Sequence, residues 1–162
     1  MTHGHAPRRN AAEQARLDAA LTTLFEQQIH FNQLLGLKFT GQGPQGPTLR
    51  FEMRPELVGH HLYGRLHGGV ISATLDAMGG LALMWAIGEK HADEPAAQVM
   101  QRFSKLGTID LRVDYLRPGL GKHFVASAEV LRLGGRVGTT QMRLVNDEGT
   151  LIATAAAAYV VS

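Results

Sequence analysis

Cysteine is absent from these 162 residues, and that absence removes disulfides, thiolate metal sites and a cysteine nucleophile together. Serine is scarce: only Ser72, Ser104, Ser127 and Ser162 occur, none of them in a Gly-x-Ser-x-Gly elbow. A serine triad therefore lacks its usual signature. Neither a Gly-x-Gly-x-x-Gly turn after a strand nor a P-loop is present, so nucleotide-dependent redox chemistry and phosphoryl transfer lose their common support. Net charge is only +2, too little to argue for a nucleic-acid partner. Met1 to Arg9 carries histidines and arginines but no apolar run follows, so no secretory signal is visible. A disordered start over residues 1–9 and a cytoplasmic protein are the expectations. Internal repeats and low-complexity tracts are also missing.

What is present describes a globular domain. Hydrophobic residues make up 44% and charged residues 19% of the chain, and this length suffices to bury about two-thirds of the unfolded surface. Charge is uneven. Residues 101–162 hold eight Lys/Arg against five Asp/Glu, a balance of +3, whereas residues 1–100 hold eight against nine, a balance of −1. Such scattered basic residues suit solvated surface or a ligand bearing a few phosphates.

Hydrophobic periodicity predicts the elements. Leu17, Leu21, Leu24, Phe25 and Ile29 recur at helical spacing, giving an N-terminal helix over residues 10–36 that Gly36 ends. Leu37–Thr40 and Thr48–Arg54 read as strands around the turn-rich Gly41 to Pro47. Pro55 to Leu66 reads as a loop. Val70 to Ile87 is apolar on every side, nearly long enough to span a membrane, yet it contains Asp76 and the Gly79-Gly80 pair. A charge at mid-membrane is costly, so a helix buried in a protein core, without membrane insertion, is the expectation. A short helix over Ala96–Leu106 precedes four strands: 109–115, 123–133, 136–145 and 150–161. Their short links predict an antiparallel meander. One all-apolar helix needs cover, which a curved antiparallel sheet supplies, so the fold class is α+β. Such a sheet leaves an edge strand for a second copy.

The chemistry concentrates in Leu66 to Asp76. His67-Gly68-Gly69 turns into the apolar helix, whose unpaired N–H groups and partial positive charge suit an oxygen gaining negative charge. Asp76 is the only ionisable residue between Gly68 and Glu89, in apolar surroundings expected to oppose its ionisation. An oxyanion-binding turn beside a buried carboxylate points to acyl transfer. His60, His61 and His67 lack regular metal-ligand spacing, so no metal is expected. Met78, Leu81, Leu83, Met84 and Trp85 on the central helix are candidates to line an acyl tunnel, although most must pack the core.

His67-Gly68-Gly69 with Asp76 nine residues after the histidine resembles the active-site motif of PaaI-type hotdog-fold acyl-CoA thioesterases. Gly107-Thr108-Ile109-Asp110-Leu111-Arg112-Val113-Asp114-Tyr115-Leu116-Arg117-Pro118-Gly119 is similar to the strand after the central helix in that family. Together with Phe31 to Gly36, the chain looks most like the YigI branch, associated with medium- and long-chain acyl-CoA and fatty acid metabolism. The resemblance covers roughly residues 30 to 161. It implies a hotdog domain over residues 37–162, a long central helix wrapped by a curved antiparallel sheet with an added N-terminal helix. It also implies a thioester hydrolase in which the Gly68 N–H polarises the carbonyl and His67 shapes the turn. Asp76 would be general base or nucleophile, and Thr108 would position water. No cofactor is implied, since CoA belongs to the substrate, acyl-CoA. The implied site lies between subunits of a homodimer or homotetramer, so that Asp76 and Thr108 could come from different chains. Relatives carry an asparagine six or seven residues before the motif histidine; here His61 and His60 stand there. Arg117, Lys122 and Arg136 are candidates for the CoA phosphates, and Gly69 and Gly138 for close substrate approach. Two other readings stay open: an acyl-CoA or acyl-carrier dehydratase or hydratase, and a non-catalytic acyl-CoA-binding domain.

Overall fold

A computed structural model describes residues 8–43 and 46–162. The chain begins with helix α1 (Ala11–Thr23), whose first turn is closed by the Asn10 side chain accepting from the Glu13 N–H. The long N-terminal helix expected over residues 10–36 is broken. A π-helical turn, Leu24–Gln28, leads to an extended Ile29, and helix α2 (His30–Leu35) restarts the spiral until Gly36 ends it at φ +73. The break turns Phe25 inward, and the buried Asn32 amide donates to its carbonyl at 3.2 Å.

Strands β1 (Lys38–Gly43) and β2 (Gly46–Glu52) form a hairpin. The expected loop over residues 55–66 holds a 3-10 turn and a two-stranded hairpin, β3 (Val58–His60) and β4 (Arg65–Leu66). Helix α3 (Gly68–Lys90) follows, then α4 (Ala96–Arg102), β5 (Gly107–Tyr115), β6 (His123–Leu133), β7 (Val137–Asn146) and β8 (Leu151–Val160). The large sheet is antiparallel, in the order β1-β2-β6-β7-β8-β5.

That order corrects the expected four-strand meander. Strands β6, β7 and β8 do follow one another, but β5 pairs with β8 and never touches β6 in the ladder. The link 116–122 crosses two intervening strands, a span of about 14 Å. Seven residues reach roughly 23 Å, so the crossing needs no strain.

Strands β2, β5, β6, β7 and β8 all pack on α3, which makes the architecture α+β with the helix as filling. Leu75, Met78, Leu81 and Leu83 are fully buried in the core. Each such side chain removed from water contributes about 1.5–3 kcal/mol. Helix α3 is long and apolar enough to cross a membrane, but 61% of its most apolar window is buried inside this fold.

Residues 1–7 of the expected disordered start lie outside the described residues. Arg9, also assigned to that start, is tied down. Its guanidinium donates to the carbonyls of Gly88 at 2.5 Å and His91 at 2.9 Å, where α3 runs out of partners. The N-terminal segment is thus pinned over the half of α3 that the sheet leaves bare, and α1 buries Leu17 and Leu21 beneath it.

Candidate active site

The N-terminal end of α3 is built by its own first residues. His67 is the N-cap, in extended backbone, and its Nδ1 accepts the Gly69 N–H at 2.9 Å. An accepting Nδ1 leaves the ring proton on Nε2, so the exposed edge of the imidazole is a donor. Gly69 was expected to touch substrate; instead its N–H is used by His67, and a Cβ there would sit 2.9 Å from that nitrogen. The Gly68 N–H makes no hydrogen bond among the described residues. It is the free donor at the positive end of the helix. The Gly68 carbonyl accepts the Tyr115 hydroxyl at 3.2 Å, tying this end of α3 to the far end of β5.

His60 and His61 sit on the β3–β4 hairpin above this turn. A Cβ at Gly59 would lie 2.5 Å from the His67 Cα, so the hairpin backs directly onto the cap. His60 is half-buried and packs at a tilt on Tyr63, ring centroids 4.8 Å apart, while His61 is exposed. Neither hydrogen-bonds the Gly68 turn among the described residues.

Asp76 lies two turns further along. It is half-buried rather than enclosed, because it opens onto a cavity between α3 and the N-terminal segment. Thr108 donates its hydroxyl to Asp76 Oδ1 at 2.8 Å. The two residues therefore meet within one chain, which corrects the expectation that they could be drawn from different subunits. Tyr159 of β8 donates its hydroxyl to the Asp76 main-chain carbonyl at 2.9 Å. Burial, reinforced by the Asp76 charge, pushes the Tyr159 hydroxyl well above the usual tyrosine range. Sequence reasoning missed this residue. The available signal was one bulky aromatic directly after the alanine-rich run 153–158.

The cavity measures about 310 Å³ and runs from Asp76, Thr108 and Tyr159 towards Phe25, Ile29, Met84 and Leu106. Ala73, Ala77, Gly80 and Met84 line one face of α3 at three- and four-residue intervals. Among the described residues the expected tunnel does not run along Met78, Leu81 and Leu83, which are fully buried and do not line the cavity. Trp85 faces α1. Only Met84 of that set reaches the cavity, and the opposite wall comes from the π-helical turn and α2.

The other expected ligand residues separate. Arg117 and Lys122 lie at the Gly68 end of the molecule, where Arg117 donates to the Leu151 carbonyl at 3.0 Å. Arg136 lies at the opposite end, beside Val161 and the Thr108 end of β5. Gly138 is buried, and a Cβ there would stand 2.5 Å from Leu83 Cδ2. It makes room for the central helix, not for a substrate.

Comparison with known proteins adds the lineage. The family model described as thioesterase superfamily matches residues 63–153. The medium/long-chain acyl-CoA thioesterase YigI of Escherichia coli is 38% identical over 138 residues, covering 85% of this chain and 89% of that protein. A Shewanella oneidensis protein related to the thioesterase superfamily superposes with a TM-score of 0.87 at 37% identity, over 95% of this chain and all of that one. A Bacillus halodurans protein solved with CoA shares the fold, with a TM-score of 0.65 at 17% identity over 95% of each chain.

Proposed function

The chain belongs to the thioesterase superfamily, a hotdog-fold thioester hydrolase, and from that premise we propose that it cleaves medium- and long-chain acyl-CoA to CoA and a carboxylic acid. The observation that carries this reading is the Asp76 carboxylate, held by Thr108 on the wall of an apolar cavity. Oδ1 is occupied by the threonine hydroxyl, which leaves Oδ2 to take a proton. Water attacks the thioester carbon while its proton passes to Asp76. The carbonyl oxygen becomes an oxyanion, the C–S bond then breaks, and the CoA sulfur leaves with the proton from Asp76. The acyl chain occupies the cavity beneath Phe25 and Ile29.

The oxyanion donor comes from a second copy. Gly68 and Asp76 are eight residues apart on one helix, a rise of about 12 Å, too far to act on one carbonyl. Strand β5 is one edge of the sheet, with Thr108 and Asp76 at one end and Tyr115 and Gly68 at the other. A twofold axis near Leu111 and Arg112 sets the Gly68 N–H of one copy against Asp76 of its neighbour. One such donor is worth about 2.7–4 kcal/mol of transition-state stabilisation. The same axis brings Arg117 of one copy towards Arg136 of the other, flanking the CoA phosphates.

The test is a panel of acyl-CoA esters of increasing length, assayed by release of free thiol. Asp76→Asn and Asp76→Ala should lose turnover by orders of magnitude and keep the wild-type melting transition. Near-normal turnover in either variant rules out the role given to Asp76. Single turnover in ¹⁸O-water probes its mode: direct attack by water puts label only in the product acid, as does an anhydride opened at the substrate acyl carbon. Label in the Asp76 carboxylate would mean a mixed anhydride instead.

A further inference from the structure

Tyr159 is buried to 1% exposure and is flanked in the sheet by Thr108 on β5 and Gly138 on β7. Its hydroxyl reaches the carbonyl of Asp76, in the interior of α3. A carbonyl oxygen has two lone pairs, and the helix itself uses one, so helix formation does not require the tyrosine bond. Packing does not require it either, since phenylalanine has nearly the same volume and carries no polar atom to desolvate. The helix has also been cleared for it. At Gly79 an added Cβ would overlap the Tyr159 hydroxyl oxygen and lie 2.8 Å from the Thr140 hydroxyl. A glycine inside a helix weakens it, so the space is kept at a cost in stability.

We infer that Tyr159 is a positioning residue for the hydrolysis. It pins the α3 backbone at the residue that bears the carboxylate, while its ladder neighbour Thr108 orients the carboxylate itself. The carboxylate is thus fixed from two adjacent strands: β5 holds the side chain and β8 holds the main chain. Gly79 completes the device by admitting the phenol to the helix surface. This inference rests on the reading of Asp76 as the group that acts on water.

The experiment measures kcat and KM of Tyr159→Phe on a medium-chain acyl-CoA, in the wild-type and Asp76→Asn backgrounds, with a thermal melt of each. Displacement of a reacting group by a fraction of an ångström should lower kcat about tenfold or more, with KM changed less than about twofold. In the Asp76→Asn background the same change should cost nothing further, because the tyrosine works only through that carboxylate. Gly79→Ala should reproduce the loss, and the double variant should be no slower than the worse single one. Wild-type kcat in Tyr159→Phe overturns the inference, and so does an equal fractional loss in both backgrounds, which would mark a merely structural role. If Tyr159→Phe does not fold, Gly79→Ala carries the same comparison. Should Asp76→Asn itself retain turnover, the assignment of Asp76 falls and this inference falls with it.

Discussion

A carboxylate on a helix wall can rotate about both side-chain torsions, and a base that rotates spends little time aligned with its water. Thr108 removes that freedom with a hydrogen bond at 2.8 Å. Hydrogen bonds to charged groups are worth about 1.5–3 kcal/mol. Thr108→Val keeps the shape and deletes the donor, so kcat/KM should fall roughly ten- to a hundredfold, while Thr108→Ser should restore most of it. Steady-state kinetics on the three proteins checks this, and wild-type rates in the valine variant would contradict it. Tyr159 gives a second prediction, in stability against pH. Its hydroxyl is driven upward by burial first and by Asp76 second. The folded state therefore keeps a proton that the unfolded chain releases near pH 10. Above that value the unfolded state binds fewer protons, so the slope of stability with pH is negative. The tyrosine contribution is complete below about pH 10 and declines as pH rises beyond it. Denaturant midpoints between pH 8 and 11 should fall more steeply for the wild type than for Tyr159→Phe.

Among the elements, α3 serves two masters on two stripes. Leu75, Met78 and Leu81 are buried in the core, while Ala73, Ala77, Gly80 and Met84 face the cavity. Under the proposed function, Gly80 is the position where the second stripe limits the acyl chain. A Cβ there would meet Leu106 Cδ2 at 3.5 Å, an ordinary contact, so Gly80→Ala fits without strain. Replacing a helical glycine with alanine should stabilise the fold by up to about 1 kcal/mol. The methyl group also takes space from the acyl chain, and each methylene that no longer fits forfeits about 0.8 kcal/mol. Gly80→Ala should therefore melt higher yet prefer a shorter acyl chain, and Gly80→Leu should shift the optimum further. An unchanged chain-length profile would remove the cavity as the acyl site. Much of this element level was legible. The apolar run announced α3, and hydrophobic periodicity announced the strands and α1. The π-helical turn was not legible, because Leu24, Phe25 and Ile29 keep helical spacing across it. Without that turn, the wall of the cavity cannot be read from the chain.

Strand order governs the whole molecule, and it is what single-chain pattern reading misses. Nothing local in Gly107–Tyr115 says that it pairs with β8 and ends the sheet. That placement leaves Ile109 and Tyr115 more than half exposed on that edge. It also bears on the two halves of the proposed site. Gly68 and Asp76 were legible as chemistry, but that they cannot serve one carbonyl within a chain follows only from the helix rise. The consequence can be tested without a structure of the assembly. Gly68→Pro deletes the oxyanion N–H at the first helical position, where proline is tolerated. His67 before it is already extended, as proline demands of its predecessor. Alone, Gly68→Pro should lose about 10²–10³ in kcat, and Asp76→Asn alone should be similarly inert. Mixed under exchanging conditions, half of the dimers are hybrids. In each hybrid one site carries both lesions, while the other joins an intact Asp76 to an intact Gly68. Activity should therefore return to about a quarter of wild type in an equimolar mixture. A site contained in one chain predicts no recovery at any ratio, and light scattering of the same mixture reports whether the copies are associated.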